Sequence, residues 1–164
     1  MHQIEGERNF HMFYQLLRGA SVDERATLWL ADTVDHYNYL ATSSHDSMIP
    51  NVSDEDQFPL TRTCMTSIGI GESTQIQIFR LLAGILNLGN VQFQEDPTEG
   101  IVTDIKAEAV ECMEKASALL GVAQDALVAS IIKHNMYVSG ATIVKPQLIE
   151  QVRDSLDPVT VALL

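Results

Sequence analysis

The chain of 164 residues is poor in basic side chains, with 10 lysines and arginines against 22 aspartates and glutamates and a formal charge of -12. A field of that sign opposes binding to nucleic acid and to anionic membranes, because phosphate groups need cationic side chains. An acidic protein partner is compatible with it only where the few basic residues are clustered. We therefore expect no nucleic-acid partner and no membrane partner.

Long apolar runs and metal-binding cysteine patterns are also missing. No apolar stretch reaches the roughly 18 to 20 residues that cross a bilayer, since Gln77, Arg80 and Asn87 interrupt the longest one. The first residues are polar, unlike a signal peptide. Cys64 and Cys112 have no zinc spacing and lie in helical patterns, which predicts reduced core thiols in a cytoplasmic protein.

Residue patterns for catalysis are absent as well. The segment 69–74 is rich in glycine and hydroxyl groups, but no lysine lies near it, so we interpret it as a turn between two helices. The histidines are scattered, with no pair at ligand spacing. Ser73 and Ser139 have no supporting His and Asp arrangement. We expect no catalytic, cofactor-binding or metal-binding residue in this chain.

Helical patterns fill most of what the sequence does contain. Phe10, Phe13, Tyr14 and Leu17 follow the spacing of one helical face, and we expect Gly19 to end that helix with a positive φ. Residues 37–51 are interpreted as an irregular surface segment. The sequence predicts a mainly α fold. Further helices are predicted over residues 21–30, 53–68, 72–88, 107–120, 124–134 and 146–156.

One segment has a β pattern instead. Strand-forming residues at 137–138 and 142–144 flank Ser139 and Gly140, which favours a tight hairpin. Lys133, Lys145 and Arg153 place basic residues at or beside that hairpin. Before it, a short extended piece at 91–93 leads into an acidic loop at 95–100, which we interpret as solvated.

Two segments carry a resemblance to a known family. Residues 6–17, from Gly-Glu-Arg-Asn to Tyr-Gln-Leu-Leu, and residues 81–93, from Leu-Leu-Ala-Gly to Val-Gln-Phe, closely resemble signature segments of the myosin motor head, in the same order. Likenesses at 35–40, 54–69, 119–122 and 153–156 extend the match. Residues 1–156 thus resemble the upper-50K region, a helical subdomain with a small β-hairpin and a fragment of the P-loop NTPase motor fold. Residues 157–164 depart from the family and are interpreted as a divergent truncated tail.

The resemblance implies a fragment of an actin-based, ATP-driven cytoskeletal motor. The parent family is an actin-activated ATPase that uses ATP and Mg²⁺, but its P-loop and both switches are missing from this sequence, so we expect no ATP hydrolysis by this chain alone. The implied partners are the actin filament and the remainder of the head, and the implied location is the cytoplasmic cytoskeleton. The acidic loop is similar in position to loop 4, and the hairpin to the cardiomyopathy loop. The implied actin-binding residues are Glu95, Asp96, Glu99, Met136, Tyr137, Val138, Ser139, Gly140, Ala141, Thr142, Ile143 and Lys145.

Two other interpretations stay open. The chain is alternatively a free-standing helical interaction module without motor activity, or the non-functional product of a truncated gene model. If it is a head fragment, the apolar faces of the first helix and of 76–88 are expected to pack on a sheet outside the chain, leaving exposed apolar surface. Arg8 and Glu7 are then expected to form an ion pair with the rest of the head.

Overall fold

The computed structural model describes residues 8, 10–40, 49, 51–138, 141–152 and 156, with side chains except at 134–138 and 141–143. The chain divides into two compact units, Met1–Leu86 and Asn87–Leu164. Both are predominantly helical, as expected, and the second also holds two antiparallel hairpins. The helices are α1 (His11–Gly19), α2 (Val22–Thr27), α3 (Asp54–Ser67), α4 (Glu72–Gly89), α5 (Val110–Leu120) and α6 (Gln124–Ile132), with 3-10 turns at Val34–His36 and Ala107–Ala109; the strands are β1 (Phe93–Glu95), β2 (Val102–Ile105), β3 (Lys133–Val138) and β4 (Ala141–Pro146).

Helix α1 buries the apolar face that the sequence predicts. Phe13, Tyr14, Leu16 and Leu17 are all buried, whereas Phe10 is 42% exposed because it precedes the first helical turn. The expectation that this face requires a sheet outside the chain is wrong, since the chain itself covers it. In α4, residues 82–88 are buried in the same way, whereas Ile76 is 45% exposed, as the expectation for 76–88 had it.

Helix α1 ends at Gly19 as predicted, but for a different reason. Gly19 has no positive φ, and the chain leaves the helix through Ala20 in an extended conformation. A Cβ added at Gly19 would lie 2.3 Å from the Cβ of Phe58 on α3. Because no such contact is tolerated in a packed interior, glycine is required here by the close approach of α1 to α3.

Helix α2 begins with a capping box at Ser21 and ends earlier than predicted. The Ser21 hydroxyl accepts from Glu24 N at 3.3 Å, and Ser21 N donates to the Glu24 carboxylate at 2.9 Å. The helix stops at Thr27 because Trp29 has a φ of 49° and Leu30 N donates to Arg25 O at 3.0 Å. This hydrogen bond closes the last turn.

The segment after α2 is not the surface segment that the sequence predicts. Tyr37 and Leu40 are fully buried, and the Tyr37 hydroxyl accepts from Ala31 N at 2.9 Å. Of the remaining predicted stretch, residues 41–48 and 50 lie outside the described residues. Asn51 is exposed, with a φ of 64°.

A buried carboxylate joins the start of α3 to α1. Asp54 is 4% exposed, and both of its carboxylate oxygens accept from Arg8 Nη2, at 2.8 and 2.9 Å. Arg18 Nη1 donates to Asp54 Oδ2 at 2.6 Å, and the Arg8 guanidinium lies 3.9 Å from the centre of the Tyr14 ring. Arg8 therefore pairs within this chain, contrary to the expectation of a partner elsewhere in a head, and Glu7 lies outside the described residues.

Asp54→Asn is expected to lower the free energy of unfolding by about 3–5 kcal/mol, because it leaves the buried Arg8 cation without a counter-charge. Asp32→Asn is the matched control, since Asp32 pairs with Arg25 at 3.3 Å while its side chain is fully exposed. That control is expected to change the free energy of unfolding only slightly. Urea unfolding followed by far-UV circular dichroism measures both, and equal midpoints for the two variants would contradict the prediction.

Helices α3 and α4 are joined by the turn that the sequence predicts. Ser53 caps α3 by accepting from Asp56 N at 3.2 Å, and Gly69 has a φ of 91° just after α3 ends. On α4, the buried Gln75 amide lies 2.9–3.1 Å from three oxygens of α3 and this turn. The glycine-rich segment is therefore an exposed helix connection that is held to α4 by the Gln75 amide. Cys64 on α3 is exposed, so its predicted place in the core is wrong.

The second unit packs its helices against β1 and β2. Strand β2 was not predicted, because Val102 is buried, Thr103 and Asp104 are both exposed and Ile105 packs on the core, so the strict alternation of a regular strand is missing. Helix α5 ends at Leu120, as predicted, and Gly121 follows it with a φ of 71°. Cys112 is half-buried there, and burial raises the pKa of its thiol. The core consists of Leu88, Val91, Phe93, Val102, Ala109, Met113, Ala116, Ile131 and Val152.

The last predicted helix begins later than expected. Pro146 ends β4 instead of opening the helix, and helical structure starts at Ile149. Residues 153–155 lie outside the described residues. Within the part of the chain that the structure describes, no single helix is long and apolar enough to cross a membrane, although Ala107–Leu120 and α6 pass that test together as a pair bent by 109°.

Candidate actin interface

The predicted hairpin is present and is longer at its base than predicted. Strands β3 and β4 pair from Lys133 opposite Pro146 to Val138 opposite Ala141. Met136 lies opposite Ile143, and Tyr137 opposite Thr142. The predicted turn residues Ser139 and Gly140 lie outside the described residues, as do the side chains of 134–138 and 141–143.

The base of the hairpin carries two exposed cations. Lys133 on β3 and Lys145 on β4 are exposed on opposite faces of the hairpin, because they belong to neighbouring ladder pairs, and Val144, on the same face as Lys133, is 55% exposed. Neither lysine forms an ion pair with another described residue. Lys115, by contrast, pairs with Glu111 at 2.7 Å. The third basic residue that the sequence places here, Arg153, lies outside the described residues.

Helix α6 continues this surface next to Lys133. Val128, Ala129 and Ile132 line an open groove of about 490 Å³ together with Gln124, Asp125 and Lys133. The groove is therefore apolar in its middle and charged at its edges. Sequence reasoning gave α6 no role, although the lining residues follow the spacing of one helical face.

The acidic loop connects β1 to β2 and is ordered by one of its own carboxylates. Asp96 Oδ1 accepts from Thr98 N at 2.7 Å and from Glu99 N at 3.0 Å. The Asp96 carbonyl accepts from Gly100 N at 2.8 Å, and Gly100 has a φ of 66°. The amides of Glu99 and Thr98 hold the pKa of the Asp96 carboxyl below its usual value. Two other acidic side chains of the loop, Glu95 and Glu99, are exposed.

Backbone hydrogen bonds place this loop beside the base of the hairpin. Gln147, the residue after β4, donates its N–H to Ile132 O at 3.0 Å and accepts from Val102 N at 2.9 Å. Ile149 N donates to Gly100 O at 3.2 Å. The two segments predicted separately to contact actin are therefore neighbours in one unit. Sequence reasoning missed this, because a backbone contact across some 45 residues has no local signal.

The family comparison agrees with the resemblance in the sequence. The family model described as myosin head (motor domain) matches residues 1–163. Myosin-51 of Schizosaccharomyces pombe is 33% identical over 156 residues, and unconventional myosin IC of Drosophila melanogaster is 34% identical over 157 residues. Unconventional myosin-XIX of Homo sapiens is 38% identical over 128 residues.

The chain belongs to the myosin head (motor domain) family and corresponds to a fragment of a myosin motor head. The matches cover 93% of this chain for Myosin-51, 94% for unconventional myosin IC and 76% for unconventional myosin-XIX. In the same order they cover 10%, 15% and 12% of the relatives. The chain therefore spans only a small part of the length of these myosins.

Asp96 is expected to titrate below 3.8, the usual pKa of an aspartate, because two amides donate to its ionised form. Since the pKa falls on folding, the stability that this carboxylate contributes is present above the unfolded pKa. That stability is lost as the pH drops through the folded pKa. A carbon-detected NMR titration of the carboxyl measures the value, and a midpoint at or above 3.8 would contradict the loop geometry.

Proposed function

We propose that this chain supplies actin-filament contacts within an ATP-driven myosin motor of the cytoplasmic cytoskeleton. The observation that carries the proposal is the pair of exposed lysines, Lys133 and Lys145, at the base of the hairpin. The chain has only 10 lysines and arginines against 22 aspartates and glutamates, so basic residues are scarce in it. A pair of them on one exposed hairpin favours an acidic protein partner.

The groove on α6 supports the same surface. Val128, Ala129 and Ile132 offer apolar area next to Lys133, and the exposed Val144 adds to it across the hairpin. Protein interfaces combine such apolar centres with charged rims. We propose that the filament covers this apolar area while the lysines pair with its acidic side chains, and that Glu95 and Glu99 add a second contact from the acidic loop.

ATP and Mg²⁺ belong, in this proposal, to parts of the motor outside the sequence of this chain. Their binding in a P-loop NTPase fold requires a lysine and hydroxyl group on a glycine-rich loop. In this chain the glycine-rich segment between α3 and α4 contains no lysine and is packed against Gln75. Motor activity is accordingly proposed for the assembled head, with the remainder of that head as the second partner.

A self-contained helical interaction module is the second candidate, favoured by one observation. The apolar face of α1, which a head fragment was expected to leave open, is buried within the chain. A module of this kind would be monomeric, would unfold cooperatively and would show no affinity for filaments. Filament binding therefore separates the two candidates.

Reversing both hairpin charges, Lys133→Glu with Lys145→Glu, is expected to weaken filament binding by about 5- to 30-fold, equivalent to about 1–2 kcal/mol for two exposed ion pairs. Co-sedimentation with actin filaments at low ionic strength measures the affinity. Added salt should reduce the wild-type affinity and narrow the difference, because exposed charges are screened.

The control variant changes the net charge equally but away from the hairpin. It combines Lys106→Glu with Lys115→Glu. These two lysines lie outside the hairpin, and their described contacts are with Gln92 and Glu111. We expect it to bind nearly as well as the wild type. Equal loss in both double variants would show that net charge alone matters, and absence of wild-type pelleting at low salt would remove the actin proposal for this chain.

A further inference from the structure

The backbone N–H and the backbone C=O of Gln147 are both hydrogen-bonded. Its N–H donates to Ile132 O, at the junction of α6 and β3, and its carbonyl accepts from Val102 N on β2. Gln147 is 9% exposed, so these bonds are largely shielded from water. Gln147 thereby joins the base of the hairpin of β3 and β4, called here the lysine-bearing hairpin after Lys133 and Lys145, to the hairpin of β1 and β2 that carries the acidic loop.

Two further contacts extend this connection along the chain. Ile101 forms a β-bridge with Leu148, and Ile149 N donates to Gly100 O at 3.2 Å. Residues 100–102 and 147–149 thus run side by side over three positions each. We call this paired region the clasp. The contacts at its Gly100 end fall on the last residue of the acidic loop.

The acidic loop is itself closed by internal bonds. Its two amides, at Thr98 and Glu99, donate to one carboxylate oxygen of Asp96, and Asp96 N donates to Ile101 O at 2.9 Å. These bonds connect Asp96 to Gly100 and Ile101, and those two residues pair in turn with Ile149 and Leu148.

From these contacts we propose that the acidic loop and the base of the lysine-bearing hairpin move as one body, with Asp96 and Gln147 as positioning residues. The consequence for binding rests on the proposed function. In that function, a filament meets the two segments as one preformed surface with a negative and a positive half. Once the filament holds one segment, the other is already in place, so binding the second segment has no separate cost in ordering entropy. The actin surface it fits carries basic and acidic side chains next to each other.

The one-body claim is tested without any partner by residue-resolved amide hydrogen exchange of the full chain. Asp96→Ala removes both hydrogen bonds to the Asp96 side chain and should speed exchange about tenfold or more at the clasp amides of Val102, Gln147 and Ile149, which open only by local unfolding. Amides of α5 should be unchanged. The matched control is Asp104→Ala, because that exposed carboxylate bonds only the adjacent Ile105 amide.

Faster exchange confined to residues 98–100 in Asp96→Ala would overturn the claim, since the loop would then open without the clasp. Equal acceleration at the clasp in Asp104→Ala would overturn it as well. Neither outcome depends on actin. Loss of the proposed function, seen as no wild-type pelleting, is therefore distinguishable from failure of the one-body claim.

The consequence for binding is tested at Ile149. Ile149→Pro removes the N–H that bonds Gly100 O, at the first residue of a helix where proline is tolerated. Ile149→Ala is the matched control, because it shortens the side chain but keeps the N–H. In co-sedimentation, the proline variant should bind filaments about fivefold more weakly than the alanine variant, with α5 amides still protected in both. Equal affinities of the proline and alanine variants would contradict the proposal that the surface is preformed.

Discussion

The second unit depends on a backbone constraint at Gln147, whose buried peptide must have partners for both its N–H and its C=O. Ile132 and Val102 provide them, and in doing so they fix where two hairpins stand relative to each other. A buried peptide group without partners would cost a large part of the stability of a small unit. The arrangement of the lysine-bearing hairpin and the acidic loop is thus a result of satisfying the backbone, whichever side chains occupy the two loops.

Features encoded within a few residues were predictable, whereas those made by distant segments were not. The Ser21 cap, the Gly121 helix end and the hairpin pairing follow from local chemistry, and the structure has them. The reason for Gly19, by contrast, lies in Phe58, which is distant in sequence. For the candidate interface, the sequence predicted both segments and their charges but not their adjacency, because backbone pairing leaves no residue-type signal.

The two units use their basic residues differently. Five of the six arginines fall in Met1–Leu86, and all four lysines fall in Asn87–Leu164. In the first unit, Arg8, Arg18 and Arg62 bind carboxylates or lie over aromatic rings, tasks that suit a planar guanidinium. A lysine is a strongly hydrated point charge and suits an exposed position. This division leaves the first unit with structural cations and gives the second the cations available to a partner.

The position of Trp29, just after α2, has a practical consequence. This half-exposed side chain is the one indole in the sequence, and it belongs to the first unit, so tryptophan emission originates in that unit. A tryptophan introduced near the clasp would therefore be the one indole in its own half of the chain.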